Sequence, residues 1–170
     1  MDLGALVRDV PDFPRTGVVF RDITPLLADA GAFADAVARL AEPFADQVDV
    51  VAGVEARGFI FAAPVAERLG AGFVPIRKPA KLPWDTVSAS YELEYGIDTL
   101  EMHRDAVAAG QRVLLVDDVL ATGGTAAAAL GLLQSSGAEL VGVAFLIELA
   151  FLGGRSRLGG IRTHSGLVDE

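Results

Sequence analysis

Cysteine is absent from this chain, which excludes disulfides and thiol chemistry and fits a cytoplasmic protein. Histidine is nearly absent. His103 and His164 stand far apart and lack the spacing of a metal site, so each reads as a surface or partly buried side chain. No apolar run reaches the roughly 18 residues of a membrane-spanning helix. The N-terminal MDLGALVRDVPDF mixes acids with apolar residues and lacks a basic start, unlike a secretory leader. Positive charge is scarce: 14 Lys and Arg stand against 23 Asp and Glu, a net charge of −9. That balance disfavours a general nucleic-acid surface. There is no internal repeat, low-complexity tract or linker. The 170 residues, 52% hydrophobic, suggest one domain with a substantial core.

What the chain does contain is concentrated in Val113–Thr125, VLLVDDVLATGGT. Four apolar residues, Val113–Val116, have the pattern of a short buried strand. Asp117 and Asp118 follow, then Val119 and Leu120, then the small stretch Ala121-Thr122-Gly123-Gly124-Thr125. Beyond it the chain becomes Ala- and Leu-rich and helical. Amide groups at such a strand-to-helix turn coordinate phosphate. Neighbouring carboxylates accept hydrogen bonds from hydroxyl groups. A phosphorylated sugar satisfies both. The segment is not a Walker A loop, because Thr125 and Ala126 follow Gly124 where that loop needs Lys and then Ser or Thr. No G-x-G-x-x-G dinucleotide fingerprint occurs. The competing structural reading is an ordinary turn capped by Thr122 or Thr125. Two adjacent, mutually repelling acids at the strand end favour a ligand.

Periodicity places helices at Ala32–Ala45, Gly58–Leu69 and Thr125–Ser136. It places strands at Val48–Val54, Phe73–Arg77, Arg112–Asp118 and Leu140–Leu149. This alternation predicts an α/β fold, a mainly parallel sheet flanked by helices. Two segments break the rhythm. Ser88–Tyr95, SASYELEY, reads as a half-exposed hairpin or lid. Residues 1–31, with three prolines and FPRTGVVFRDITPLL, read as a cap on the sheet.

Four further stretches carry candidate chemistry. In Gly53-Val54-Glu55-Ala56-Arg57-Gly58, Arg57 and a helix start suit a second anionic group, against the alternative of a Glu55–Arg57 surface ion pair. Arg77-Lys78-Pro79-Ala80-Lys81-Leu82-Pro83 presents three cations on a proline-stiffened loop, with no acid before Asp85. In Tyr91-Glu92-Leu93-Glu94-Tyr95-Gly96, a carboxylate among apolar and aromatic neighbours suits acid–base work under a closing lid, although alternating acids on a ribbon are usually solvated. In Val19-Phe20-Arg21-Asp22, Phe20 is either core or a stacking face for a flat heteroaromatic ring, with strand backbone beside it to read the ring edge.

Together these stretches resemble the adenine phosphoribosyltransferases. The matching pieces are FPRTGVVFRDITPLL, VAGVEARGFIF, GFVPIRKPAKLP, YELEYGIDTLEMH and VLLVDDVLATGGT, in the family's order over most of residues 13–125. VDD-x-x-ATGGT marks the wider class that binds phosphoribosyl pyrophosphate. EARGF, RKP-x-KLP and LEYG are more specific to the adenine enzymes. The resemblance implies the type I phosphoribosyltransferase fold: one domain over 1–170, with a twisted, mainly parallel sheet, a small N-terminal hood over 1–31 and a β-ribbon lid over 82–98.

It also implies transfer of phosphoribose to N9 of adenine, giving AMP and pyrophosphate, in a homodimeric enzyme using Mg²⁺ held mainly by substrate oxygens and water. By the same resemblance, Ala121, Thr122, Gly123, Gly124 and Thr125 cradle the 5′-phosphate. Asp117 and Asp118 hold the ribose hydroxyls and stabilise charge on the ring. Arg57, Arg77, Lys78 and Lys81 meet pyrophosphate. Phe20 and Val119 sandwich adenine, whose edge the backbone of Val19 and Arg21 reads. Glu94 moves the purine proton, and Tyr95 closes the lid. Two positions depart from the family pattern: Ala80 replaces a glycine, and Val119 replaces a leucine. The alternatives are a sister enzyme using guanine or xanthine, and a regulator that senses phosphoribosyl pyrophosphate without turnover. Acidity and the lack of a basic helix-turn-helix extension argue against the regulator.

Overall fold

The computed structural model describes residues 1–93 and 96–170. A short antiparallel pair comes first, β1 (Arg8–Pro11) and β2 (Val19–Asp22), followed by helices α1 (Thr24–Ala28) and α2 (Ala30–Ala41). Asp29 caps α2, its side chain accepting from Ala32 N–H at 2.8 Å. The helix expected over Ala32–Ala45 stops at Ala41, and Glu42–Phe44 forms one 3-10 turn. Pro43 explains the stop, because it has no N–H to continue the α-helical ladder.

The rest alternates. Strand β3 (Val50–Val54) leads through α3 (Arg57–Leu69) to β4 (Gly72–Ile76). A hairpin of β5 (Thr86–Leu93) and β6 (Gly96–His103) intervenes. Then β7 (Arg112–Leu120), α4 (Gly124–Ser135), β8 (Glu139–Leu149), a 3-10 segment at Gly154–Leu158 and β9 (Thr163–Asp169) complete the fold. The central sheet has the order β4-β3-β7-β8-β9, with every pairing parallel. The α/β expectation holds. The fifth strand, β9, lies beyond the last element read from the sequence.

Successive residues of the sheet feed two separate cores, as a parallel sheet covered on both faces requires. Val51, Leu114, Val116, Ala144 and Leu146 pack with α2 and α3. Ala52, Val54, Val113, Leu115, Val143 and Phe145 pack with α4 and with Leu100 and Met102 of the hairpin. The hairpin is therefore half core and half surface. Its buried side anchors it over α4, at the same end of the sheet as the carboxylates of β7.

Candidate active site

A cavity of about 550 Å³ opens beyond the C-terminal ends of β3, β7 and β8, where open parallel sheets bind ligands. Its wall brings together Val19, Phe20 and Arg21 from β2, Arg57 at the start of α3, and Lys78. Asp117, Asp118, Val119 and the loop Ala121–Thr125 complete it.

Strand β7 carries both acids inward. Asp117 and Asp118 are buried, and the Asp117 carboxylate accepts from Asp118 N–H at 2.9 Å. Burial, followed by the neighbouring Asp118 charge, raises the Asp117 pKa well above the usual carboxylate range. Helix α3 comes so close that a Cβ on Gly58 would lie 2.6 Å from Asp117 Oδ1. Arg57 Nε stands 2.7 Å from Asp118 Oδ2. The N–H does not point at that oxygen, which is buried and has no hydrogen bond, so the contact is one of charges alone. The Arg57 guanidinium also covers the Phe20 ring at 4.8 Å, and Phe13 meets that ring edge-on at 5.1 Å. Phe20 is thus half-buried in the cavity wall, outside both cores.

The turn into α4 leaves its first amides free of intrahelical partners. Gly123 precedes the helix at φ 83°, a backbone suited to glycine, and no side chain caps the helix. Neither Thr122 nor Thr125 takes the capping role of the structural alternative. Thr125 Oγ1 instead donates to Tyr91 Oη at 3.2 Å. The same Tyr91 hydroxyl donates to Asp98 Oδ2 at 3.1 Å and accepts from Lys78 Nζ at 3.3 Å. Lys78 also pairs directly with Asp98. Burial pushes the Lys78 pKa down, but the bonds to Asp98 and Tyr91 outweigh it and leave the ammonium raised. The Lys78 bond in turn lowers Asp98. The hairpin is therefore latched to Thr125 at the start of α4 and to one cation of the basic stretch.

Glu55 does not pair with Arg57. It accepts from Lys78 N–H at 2.6 Å and from Lys81 Nζ at 2.7 Å, with Arg77 Nε at 3.4 Å. Burial raises the Glu55 pKa, yet the Lys81 and Lys78 bonds prevail and hold it low. Arg77 and Lys81 gather on this carboxylate outside the cavity lining, and the Arg77 guanidinium lies 5.9 Å from the Phe59 ring centroid. Ala80 takes φ 64°, the left-handed backbone its glycine counterpart would favour. Glu94 and Tyr95 lie outside the described residues.

Sequence reasoning did not find the Arg57–Asp118 pair, the gathering role of Glu55, or the Tyr91–Asp98–Lys78–Thr125 latch. Only the last had a signal: Tyr91 and Asp98 are direct partners in the antiparallel register of the hairpin.

Comparison with known proteins follows the same outline. The family model described as phosphoribosyl transferase domain matches residues 26–158. An adenine phosphoribosyltransferase of Rhodopirellula baltica is 59% identical over 98% of this chain and 82% of its own length. The crystal structure of adenine phosphoribosyltransferase from Thermoanaerobacter pseudethanolicus superposes with a TM-score of 0.96 at 50% identity, covering 99% of this chain and 98% of that one. The Saccharomyces cerevisiae enzyme, solved with an imino-altritol bisphosphate and adenine, gives a TM-score of 0.90 at 40% identity, covering 95% and 94%.

Proposed function

This chain belongs to the adenine phosphoribosyltransferase family, and from that premise we propose that it moves the phosphoribosyl group of phosphoribosyl pyrophosphate onto N9 of adenine. The new bond joins N9 to C1 of the sugar. The bond from C1 to the pyrophosphate oxygen breaks, and its electron pair leaves with pyrophosphate. The N9 proton goes to a base, and the product is AMP, a purine-salvage reaction. One observation carries this reading: a single cavity wall holds the paired acids, the amide loop, Arg57 and the Phe20 face.

The roles follow from local chemistry. The free amides of Gly123–Thr125 suit the 5′-phosphate, with Ala121 and Thr122 shaping the approach. Asp118, and Asp117 behind it, suit the ribose hydroxyls and the positive charge that grows at C1 as the bond breaks. Arg57 is the cation best placed for pyrophosphate. To reach it, Arg57 exchanges Asp118 and the Phe20 face for the ligand, which frees both for sugar and base. Lys78 does the same by leaving Asp98. Arg77 and Lys81 reach pyrophosphate only by leaving Glu55. Adenine would lie between Phe20 and Val119, with the Val19 and Arg21 backbone reading N1 and the exocyclic amine. A base with a carbonyl at that edge would leave an acceptor unpaired, which is costly. Glu94 remains the proposed proton acceptor and Tyr95 the closing residue of the lid.

Magnesium fits this site as a companion of the substrate. The carboxylates are hard oxygen donors. No group of three metal-ligating side chains occurs among the described residues, so the remaining ligands would be substrate oxygens and water. When bound, the ion offsets charge on the leaving pyrophosphate. Homodimeric assembly and a cytoplasmic location complete the proposal. The second is supported by the absence of cysteine, and the acidity of the chain speaks against a nucleic-acid partner. No helix among the described residues is long and apolar enough to cross a membrane.

The deciding experiment is turnover with phosphoribosyl pyrophosphate, magnesium and a panel of purines. AMP from adenine, without GMP or XMP from the other bases, is the expected result. GMP or XMP would reassign the base, and binding without any turnover would make the chain a sensor.

A further inference from the structure

We propose that Glu148 and Arg155 are positioning residues for the 5′-phosphate loop, acting through the backbone of Gly154. The inference rests on the assignment of residues 121–125 to the phosphate. That loop lies directly on another stretch of main chain. A Cβ on Gly154 would sit 2.2 Å from Ala121 O and 3.0 Å from Gly123 N. A Cβ on Gly123 would sit 2.5 Å from Gly154 O. Two backbones are in contact with no side chain between them. Apart from the Thr125 bond to Tyr91 at its far end, the loop has little of its own to hold it, because Gly123 is left-handed and no side chain caps α4. Its shape therefore follows the position of Gly154.

Gly154 in turn begins a single 3-10 segment, and the residue after it is clamped. Arg155 Nε donates to Glu148 Oε1 at 2.9 Å, and Arg155 Nη2 pairs with the other carboxylate oxygen. Arg155 Nη1 donates to Thr163 O at 3.1 Å. Ser165 Oγ donates to Glu148 Oε2 at 2.5 Å. The bidentate fork fixes direction as well as distance. Glu148 is only 6% exposed and does not line the cavity, so it touches neither substrate nor solvent freely. The Arg155 side chain is half exposed, so the pair contributes little net stability through solvent-screened attraction. Its effect here is geometric: it ties β8, β9 and the 3-10 segment at one point beside the loop.

Loosening the clamp lets Gly154 drift, and the amides of the loop drift with it. Ligands carrying the 5′-phosphate should weaken, while adenine, assigned to Phe20 of β2 and Val119, should not. The test compares wild type with Glu148→Gln, Arg155→Lys and Ser165→Ala. It uses initial-rate kinetics in both substrates and calorimetric binding of ribose 5-phosphate. Glu148→Gln is expected to raise KM for phosphoribosyl pyrophosphate roughly tenfold and to weaken ribose 5-phosphate to match, as a sub-ångström misplacement would. KM for adenine should stay within about twofold. Arg155→Lys, which keeps the charge and loses the fork, should fall between that variant and wild type. Ser165→Ala removes one bond and should shift the same constants by less. Equal changes in both KM values, or none, would overturn the proposal. If Glu148→Gln does not fold, unaltered ribose 5-phosphate affinity in the other two variants would overturn it as well. Failure of the wild type to bind ribose 5-phosphate or form AMP would instead refute the functional assignment.

Discussion

Replacing Gly58 with alanine tests whether the packing of α3 against β7 sets the catalytic geometry. The added methyl would arrive 2.6 Å from Asp117 Oδ1, and an ordinary contact needs at least 3.4 Å, so the carboxyl must withdraw by about 0.8 Å. Two energies then oppose each other. Alanine in a helix is favoured over glycine by about 1 kcal/mol. Overpacking a buried site costs about 1–3 kcal/mol. The net is a loss of about 0–2 kcal/mol, which for a chain of this size lowers Tm by roughly 0–8 °C. Activity should suffer much more. Asp117 accepts the Asp118 N–H at 2.9 Å, so moving one acid moves its neighbour. Displacements near 1 Å cost up to about a hundredfold in rate. We therefore expect Gly58→Ala to melt within several degrees of wild type while kcat/KM for AMP formation falls roughly 10- to 100-fold. The assays are initial-rate kinetics and a circular-dichroism melt on the same preparation. Wild-type kinetics in a folded variant would show that the close approach of Gly58 has no bearing on catalysis.

Asp117→Asn should stabilise the ligand-free protein while impairing turnover. The native carboxyl has its pKa raised by burial and by Asp118, so the unfolded chain gives up this proton first. Its contribution to stability is full below the unfolded value of about 3.9 and is lost as pH rises through the folded value. Melting curves from pH 4 to 8 should therefore fall less steeply for the variant, and parallel curves would refute the assignment. Ala80→Gly should stabilise the protein: relief of a left-handed alanine is worth about 1–2 kcal/mol, against about 0.4–1 kcal/mol of added chain entropy. The net gain of about 0–1.6 kcal/mol should raise Tm by roughly 0–6 °C, and a lower Tm would contradict the φ of 64°. Glu94→Gln should bind both substrates yet lose most turnover, whereas full activity would remove Glu94 from the mechanism.

Much of the site could be read in the sequence because it sits where strand patterns end. Val113–Val116 announces a buried strand, and whatever follows it reaches the ligand edge of the sheet. That places Asp117, Asp118 and the glycine turn without any coordinates. Arg57 is legible for the same reason, one turn past Val54. The partners of these groups were not legible. Arg57 meets Asp118 across two parallel strands, and Glu55 gathers Lys81 and the Lys78 amide across 26 and 23 positions. No periodicity encodes such distances. Strand β9 escaped notice because Thr163–Asp169 carries a serine, a glycine and a histidine, and its side chains are mostly half-buried at a sheet edge. The Glu148–Arg155 clamp was hidden with it, since both depend on how the chain turns after Leu149.

Arg21 joins Asp9 and Asp169, bonding across 148 positions in the second case. The strand that offers Phe20 to the cavity is thus moored to the far rim of the sheet, not to the strands that carry the acids. Fraying confined to the Asp169 end of β9, beyond the Ser165 bond to Glu148, would slacken the wall that carries Phe20 from behind, and the seat proposed for the base would loosen while the clamp beside the Ala121–Thr125 loop stays made.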